Sequence, residues 1–296
     1  MIINRILHLP KFIYRNIVQP RVLSRKYRDI LSKNLEIKNV HKAKRCFILG
    51  SGPSIKDLNI LQLANEYTFV VNEFNRHPDY RKLNRNHHIL SDVSYFSDDY
   101  DTLFGKEIKA KSDNTNPNTL YFINIAGKKT VEKRELFAKN KMYYFGTQGI
   151  ISQYFDFNIE LDKFLPWPKN TMLIALMTAV YMGFEDIYML GVEHNFLAYN
   201  IGIKELIYDH FYSNDDIRKD LEKINKSEES KRIHGIDKKS QMNYEENIAN
   251  VLQLFKNYRL FKNKIRKIHP NIKIYNATPN SFLDVFPSIN FKDIKF

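Results

Sequence analysis

The chain has 296 residues, 43% hydrophobic and 14% aromatic, which is enough to build a substantial core. Forty-six Lys and Arg against 33 Asp and Glu give a formal charge of +13, favouring anionic partners such as phosphorylated small molecules, acidic glycans, an anionic membrane surface or nucleic acid. A single cysteine, Cys46, excludes a disulfide framework and a cysteine metal site and suits a reducing cytosol, and no apolar run approaches the ~20 residues of a membrane span.

Residues 1–34 read as a basic amphipathic arm. Eight cations (Arg5, Lys11, Arg15, Arg21, Arg25, Lys26, Arg28, Lys33) face one acid, Asp29, and interleave with Ile2, Ile3, Ile6, Leu7, Leu9, Phe12, Ile13, Tyr14 and Val18. The stretch lacks the unbroken apolar core and small-residue cleavage site of a secretory signal. It reads as peripheral to the inner, cytoplasmic face of an anionic membrane; the alternative is a charged leader packed on the domain.

Residues 35–296 read as one domain. Cys46 to Leu49 form a short buried strand that stops at Gly50, and Gly52, Pro53 and Ser54 precede apolar residues at helical spacing, Ile55, Leu58 and Leu61. A strand, tight turn and helix in that order present glycine backbone and unpaired N–H groups to an anion. Gly50-Ser51-Gly52-Pro53-Ser54 is therefore a candidate phosphate cradle, although it lacks the full dinucleotide and Walker fingerprints, and a merely structural turn is the other reading.

Further strands are predicted at Thr68–Asn72, His88–Ser91, Leu120–Ile123, Met142–Phe145, Asp186–Gly191 and Ile272–Asn276. In an open parallel sheet ligands bind at the strand ends, so Asn72, Asp92, Asn124, Glu193 and Asn276 are expected around one crevice with the Gly50 turn, unless they merely suit turns. Thr171 to Met182 reads as a buried helix led in by Pro166-Trp167-Pro168, which puts Thr171 near a helix N-terminus. Residues 197–243 mix acids and bases with few large apolar side chains, and read as a lid insertion or as a solvated hairpin. Ile248, Val251, Leu252, Phe255, Tyr258, Phe261 and Ile265 then mark a long amphipathic helix ending at His269-Pro270.

His210, beside Asp209, and His234, near Asp237, are the candidate general bases, each with a carboxylate to orient an imidazole that titrates near ~6.5 when unperturbed. Asp99-Tyr100-Asp101 matches a short metal-binding pattern that arises often by chance, and no nucleophile elbow is present. The cations gather in the arm and the late helix instead of around an aromatic platform, which disfavours nucleic acid.

Several of these stretches, Gly50-Ser-Gly-Pro-Ser-Ile-Lys-Asp57, Val71-Asn72-Glu73-Phe74, Ser91-Asp92-Val93-Ser94-Tyr95-Phe96 and Met182-Gly-Phe-Glu-Asp-Ile-Tyr-Met-Leu-Gly-Val-Glu193, resemble in order and spacing the motifs of the bacterial sialyltransferases of glycosyltransferase family 42, across about half the chain. The ending Ile274-Tyr-Asn-Ala-Thr-Pro-Asn-Ser-Phe-Leu-Asp-Val-Phe-Pro287, with Gly191-Val-Glu-His-Asn195 and His210-Phe-Tyr212, is similar to the group called domain of unknown function 115. That group includes 6-hydroxymethylpterin diphosphokinases and proteins of surface-polysaccharide loci.

Both resemblances imply an α/β fold with a Rossmann-like core and a mainly parallel sheet, and the first implies a single such domain, of the glycosyltransferase-A-variant type, with a helical lid. The first implies inverting transfer of a sialic-acid-type sugar from a CMP-activated donor to a glycan or glycolipid acceptor, with no metal and no cofactor beyond the donor, in lipopolysaccharide or capsule biosynthesis. By position Gly50 to Ser54 would hold the phosphate end, with Asn72, Asp92 and Thr171 in the donor site; Glu193, as a strand-end residue, is counted with them as a candidate for binding the nucleotide. His234 or His210 would be the base, and Tyr199 lies near one of two leaving-group tyrosines. Departures are Asp92 for asparagine, Asn195 for tyrosine and Met172 for glycine. The second resemblance implies an ATP- and Mg²⁺-dependent phosphotransferase using acids such as Asp92, Asp99 and Asp101, and a non-catalytic nucleotide- or glycan-binding protein is a third reading. A homo-oligomer is compatible with all three.

Overall fold

Seven strands pair in the order β5-β4-β3-β2-β1-β8-β9, every neighbouring pair parallel, in a computed structural model that describes residues 10–96, 101–196, 210–212 and 244–296. The central strand β1 (Arg45–Leu49) is buried from Cys46 to Leu49 because helices and loops cover both sheet faces, which is why it reads as an unbroken apolar run. From it the chain builds outward through β2 (Tyr67–Val71), β3 (Arg85–Leu90), β4 (Leu120–Asn124) and β5 (Met142–Phe145). It then returns to the opposite side of β1 with β8 (Asp186–Leu190), Phe47 lying beside both Thr68 and Tyr188, and ends in β9 (Lys273–Asn276). The strand order thus reverses between β1 and β8, the position where an open α/β sheet leaves a crevice at its carboxyl edge. This is the α/β Rossmann-like architecture expected.

Helix α4 (Thr171–Tyr181) has all eleven residues buried, since it runs beneath β1, β2 and β3 while Leu254, Tyr258, Phe261 and Ile265 of α5 (Tyr244–Ile268) cover the same core. Each Leu, Ile or Met fully buried there contributes roughly 1.5–3 kcal/mol. The helix starts where the Asn170 side chain caps the Leu173 N–H at 3.1 Å. It stops at Gly183, whose φ of +90° and 2.9 Å approach to Asn39 would exclude a β-carbon.

Several expectations need correction. The segment after the Gly50 turn is a single 3-10 turn, Pro53–Asp57, followed by another at Ile60–Leu63, with no α-helix following β1. Pro166 and Trp167 belong to β7 (Leu165–Trp167), which pairs with β6 (Thr147–Ile150) in a two-stranded sheet, and the exposed-to-buried helix α2 (Leu103–Asp113) and the short α3 (Lys128–Lys133) were not foreseen. The described part of the arm is helical, with a π turn at Tyr14–Val18 running into α1 (Gln19–Lys26), and it packs on the domain. Ser24 Oγ accepts the Phe164 N–H, and the fully buried Asn34 donates to the carbonyls of Tyr144 and Leu161, so residue 34 is no break in packing. Among the described residues no helix is long and apolar enough to cross a membrane.

Candidate functional site

The crevice holds a cleft of about 260 Å³ lined by Gly50 to Pro53, Val71, Asn72, Asn170 to Met172, Gly191 to Phe196 and His210. Its floor is an interlock of glycines. Gly50 N–H donates to Leu190 O at 2.7 Å and Gly52 N–H to Gly191 O at 3.0 Å, so the end of β1 is stitched to the end of β8. A β-carbon on Gly50 would lie 2.3 Å from Gly191 O, and one on Gly191, itself at φ +66°, 2.5 Å from Ile55. Close backbone approach explains these glycines.

Glu193 completes the floor. Its carboxylate is nearly buried, accepts the Ser54 N–H at 2.8 Å, and sits over Gly52. The N–H group expected to face a phosphate at Ser54 is therefore already occupied by an internal carboxylate. Glu193 is held from behind by the stretch after β9: Thr278 Oγ1 accepts the Val192 N–H, Ser281 Oγ donates to Val192 O, and Phe282 N–H donates to Glu193 O. The Asn276-to-Asp284 motif therefore has a structural task here, positioning residues 192 and 193.

The helix end that faces the cleft is that of α4, whose Thr171 and Met172 line it, and the partial positive charge of an α-helix N-terminus suits a phosphate oxygen. Thr171 Oγ1 bridges Ser91 Oγ and the Asn72 carboxamide oxygen, tying the ends of β2 and β3 to the helix. Asn72 has a positive φ of 49°, and its carbonyl is bound by the buried His88 ring at 2.8 Å.

Sequence reasoning missed His194. It also has a positive φ, 51°, and shares a 3.0 Å hydrogen bond with the hydroxyl of Tyr258, to which Asn170 Nδ2 donates at 2.8 Å. Burial lowers its pKa to about 3, so it is neutral near pH 7. The available signal was its place three residues after the strand-ending Gly191.

His210 lines the same cleft, stacked on Tyr212 with ring centres 5.0 Å apart. The segment 210–212 rests on the turn, Phe211 N–H donating to Ser51 O at 2.9 Å while its ring meets Phe74 and His77. Tyr199, His234, Asp99 and most of 197–243 lie outside the described residues.

Of the five strand-end residues, Asn72 and Glu193 line the cleft. Asp92 is exposed and caps the next turn, accepting from the Ser94 N–H and hydroxyl. Asn124 caps Ala126, and Asn276 braces Ser281, Leu283 and Thr278. In those three the turn-forming property of the residue prevails. No Lys or Arg occurs among the described lining residues, and no group of three His, Cys, Asp or Glu among the described residues is placed to hold a metal ion.

The sequence matches no family model and no curated protein. Among solved structures the chain is similar to the MAf glycosyltransferase from Magnetospirillum magneticum AMB-1, with TM-score 0.48 and 11% identity over 92% of this chain and 39% of that one. It is also similar to the sialyltransferase CST-II, solved in complex with a trisaccharide acceptor and CMP, with TM-score 0.41 and 18% identity over 83% of this chain and 86% of that one. The chain thus spans well under half of the first. At these identities the likeness is one of fold alone.

Proposed function

We propose that the protein is a glycosyltransferase that binds a CMP-activated, sialic-acid-type donor in the cleft between β1 and β8 and transfers the sugar to a glycan or glycolipid acceptor of the cell surface. The observation that carries this reading is the convergence of the α4 N-terminus, Thr171, Asn72 and the Gly50–Gly52 backbone on one cleft rimmed by His210. The backbone N–H groups at the start of α4 and the Asn72 amide nitrogen offer neutral donors for the single charge of the donor's phosphodiester, the Gly50 and Gly52 N–H groups being spent on the end of β8, while the apolar Val71, Met172 and Phe196 flank the space for a base or sugar.

In the reaction the acceptor hydroxyl oxygen attacks the anomeric carbon, the bond from that carbon to the phosphate oxygen breaks, and CMP leaves with the electron pair. An imidazole takes the hydroxyl proton; His210 is the candidate within the described cleft, and His234 is the alternative from the sequence. Neutral His194, held by Tyr258 and Asn170, orients the rim and carries no charge to compete for the phosphate. The reading requires no metal, and the enzyme would work at the inner membrane face, where lipid-linked acceptors are presented.

The test is a thermal-shift panel of CMP, CDP, UDP, GDP and ATP, each with and without Mg²⁺. Ligand at ~100 Kd stabilises the native state by about 2.7 kcal/mol, a shift of roughly 5 °C for a chain of this size. A metal-independent shift with CMP or CDP is expected. Stabilisation by ATP with Mg²⁺ alone would overturn the proposal in favour of phosphotransfer.

A further inference from the structure

Among the described residues, exposed apolar and basic side chains gather away from the cleft floor, where the arm meets the small sheet. A depression of about 680 Å³ is lined by Lys11, Phe12, Arg15 and Asn16 of the arm together with Thr147 to Ile150 and Trp167 of β6 and β7. Trp167 is 58% exposed and Tyr14 52%, and Phe12, Ile13, Val18, Val22 and Ile150 are exposed as well. A stable domain gains nothing by presenting so much apolar surface to water.

Charge identifies what covers it. From Pro10 to Arg28 there are six cations and no carboxylate. None of the six forms an ion pair with a described residue, whereas two acids that line a depression with Arg21, Glu160 and Asp156, are already engaged by Lys38 and Lys264. Unpaired cations interleaved with exposed aliphatic and aromatic side chains fit the headgroup layer of an anionic bilayer, where cations meet phosphates and Trp and Tyr rings sit at the boundary with the acyl chains.

We infer that the arm and the β6–β7 sheet form one composite face that docks on an anionic bilayer. The face is not a free-standing tail: Gly149 of β6 lies against Asn16, where a β-carbon would approach the Asn16 backbone to 3.3 Å, and Gln148 Nε2 donates to Gln19 Oε1 at 3.0 Å. The arm therefore holds a fixed position relative to Trp167. Only two residues, Pro168 and Lys169, separate Trp167 from Asn170 on the cleft wall, at most ~10 Å of chain, so docking sets the cleft beside the lipid surface. The inference stands on this surface alone and is independent of the nucleotide bound.

Trp167 is the sole tryptophan, so its emission reports directly on the composite face. The full chain is titrated with vesicles of phosphatidylcholine alone and of phosphatidylcholine with 30% phosphatidylglycerol, with flotation, Trp emission and acrylamide quenching as readouts. Binding to the anionic vesicles, a blue shift and shielding of Trp167 are expected. Lys11→Gln with Arg15→Gln should weaken partition by about 30-fold, at ~1 kcal/mol for each cation near the surface, and Trp167→Ala by on the order of tenfold. Failure to bind anionic vesicles, or binding with unchanged Trp167 emission and quenching, overturns the composite face. A blue shift that depends on protein concentration without vesicles, with a dimer mass by light scattering, also overturns it and assigns the face to a second copy. The wild-type emission decides even where a variant fails to fold, and the nucleotide panel, run without vesicles, separates this outcome from that of the proposed activity.

Discussion

Gly52→Ala is the sharpest probe of how the cleft floor is built. Gly52 has φ −67° and ψ 157°, extended backbone that any residue adopts, so alanine would cost nothing in backbone strain. Its β-carbon would instead lie 1.5 Å from Glu193 Oε2, 2.4 Å from Glu193 Cδ and 2.7 Å from Gly191 O. The carboxylate must swing away, leaving the Ser54 N–H without its charged acceptor, a loss of about 1.5–3 kcal/mol. Crowding against the Gly191 carbonyl adds about 1 kcal/mol, the low end for an overpacked site. A total near 3 kcal/mol should lower the melting temperature by roughly 5–6 °C and move the urea midpoint accordingly. The same substitution in a Glu193→Ala background should cost only about 1 kcal/mol, because only the backbone contact remains, a coupling of about 2 kcal/mol. Gly50→Ala is the control: its clash is with the Gly191 carbonyl at 2.3 Å, so removing the Glu193 carboxylate should not relieve it. If Gly52→Ala and Glu193→Ala add within ~0.5 kcal/mol, the contact does not explain the glycine and the reasoning is refuted.

Two further outcomes follow from the same geometry. Asn170→Ala removes the α4 cap and a donor to Tyr258 and should cost about 1–2 kcal/mol in chemical denaturation; Asn170→Asp keeps the cap oxygen and should recover about half of that, and equal losses in both variants would count against the capping role. His87 and His88 of β3 are buried, and burial lowers their pKa values to about 4 and about 3. Folded values below the unfolded ~6.5 mean that the unfolded chain takes up protons first on acidification. Stability is then complete above pH ~6.5 and falls, by about 1.4 kcal/mol per pH unit for each site, toward pH 4. A urea midpoint that stays flat between pH 7 and pH 5 would contradict this.

Much of the sheet is legible in the sequence because buried parallel strands are short apolar runs. Met142–Phe145 matches residue for residue, and Thr171–Tyr181 is one residue shorter than its reading. The segment after Gly52 misled because Ile55, Leu58 and Leu61 are spaced like a helix face, yet two 3-10 turns place Ile55 and Ile60 in the core. Site residues divide by what their side chains serve. Asn72, Thr171 and Glu193 reach the cleft, whereas Asp92, Asn124 and Asn276 are consumed by local hydrogen bonds of a kind that composition does not distinguish from ligand contacts. His194 escaped because its partners, Asn170 and Tyr258, lie 24 and 64 residues away, and such contacts leave no local pattern.

The place of β1 at the centre of the sheet has a consequence for the order of assembly. β1 meets β2 soon after it is made, but its other neighbour β8 begins 141 residues later, as Arg45 pairs with Asp186. At ~5–20 residues per second of synthesis, the growing chain waits roughly 7–28 s before the second edge of β1 can close. Because the cleft lies between those two strands, it is among the last features to exist, and a ligand can rescue only molecules that have nearly finished folding. The arm waits as well: Asn34 finds its carbonyl partners only after residues 144 and 161 emerge, so its basic and apolar residues are available to a bilayer before the domain that carries them is complete.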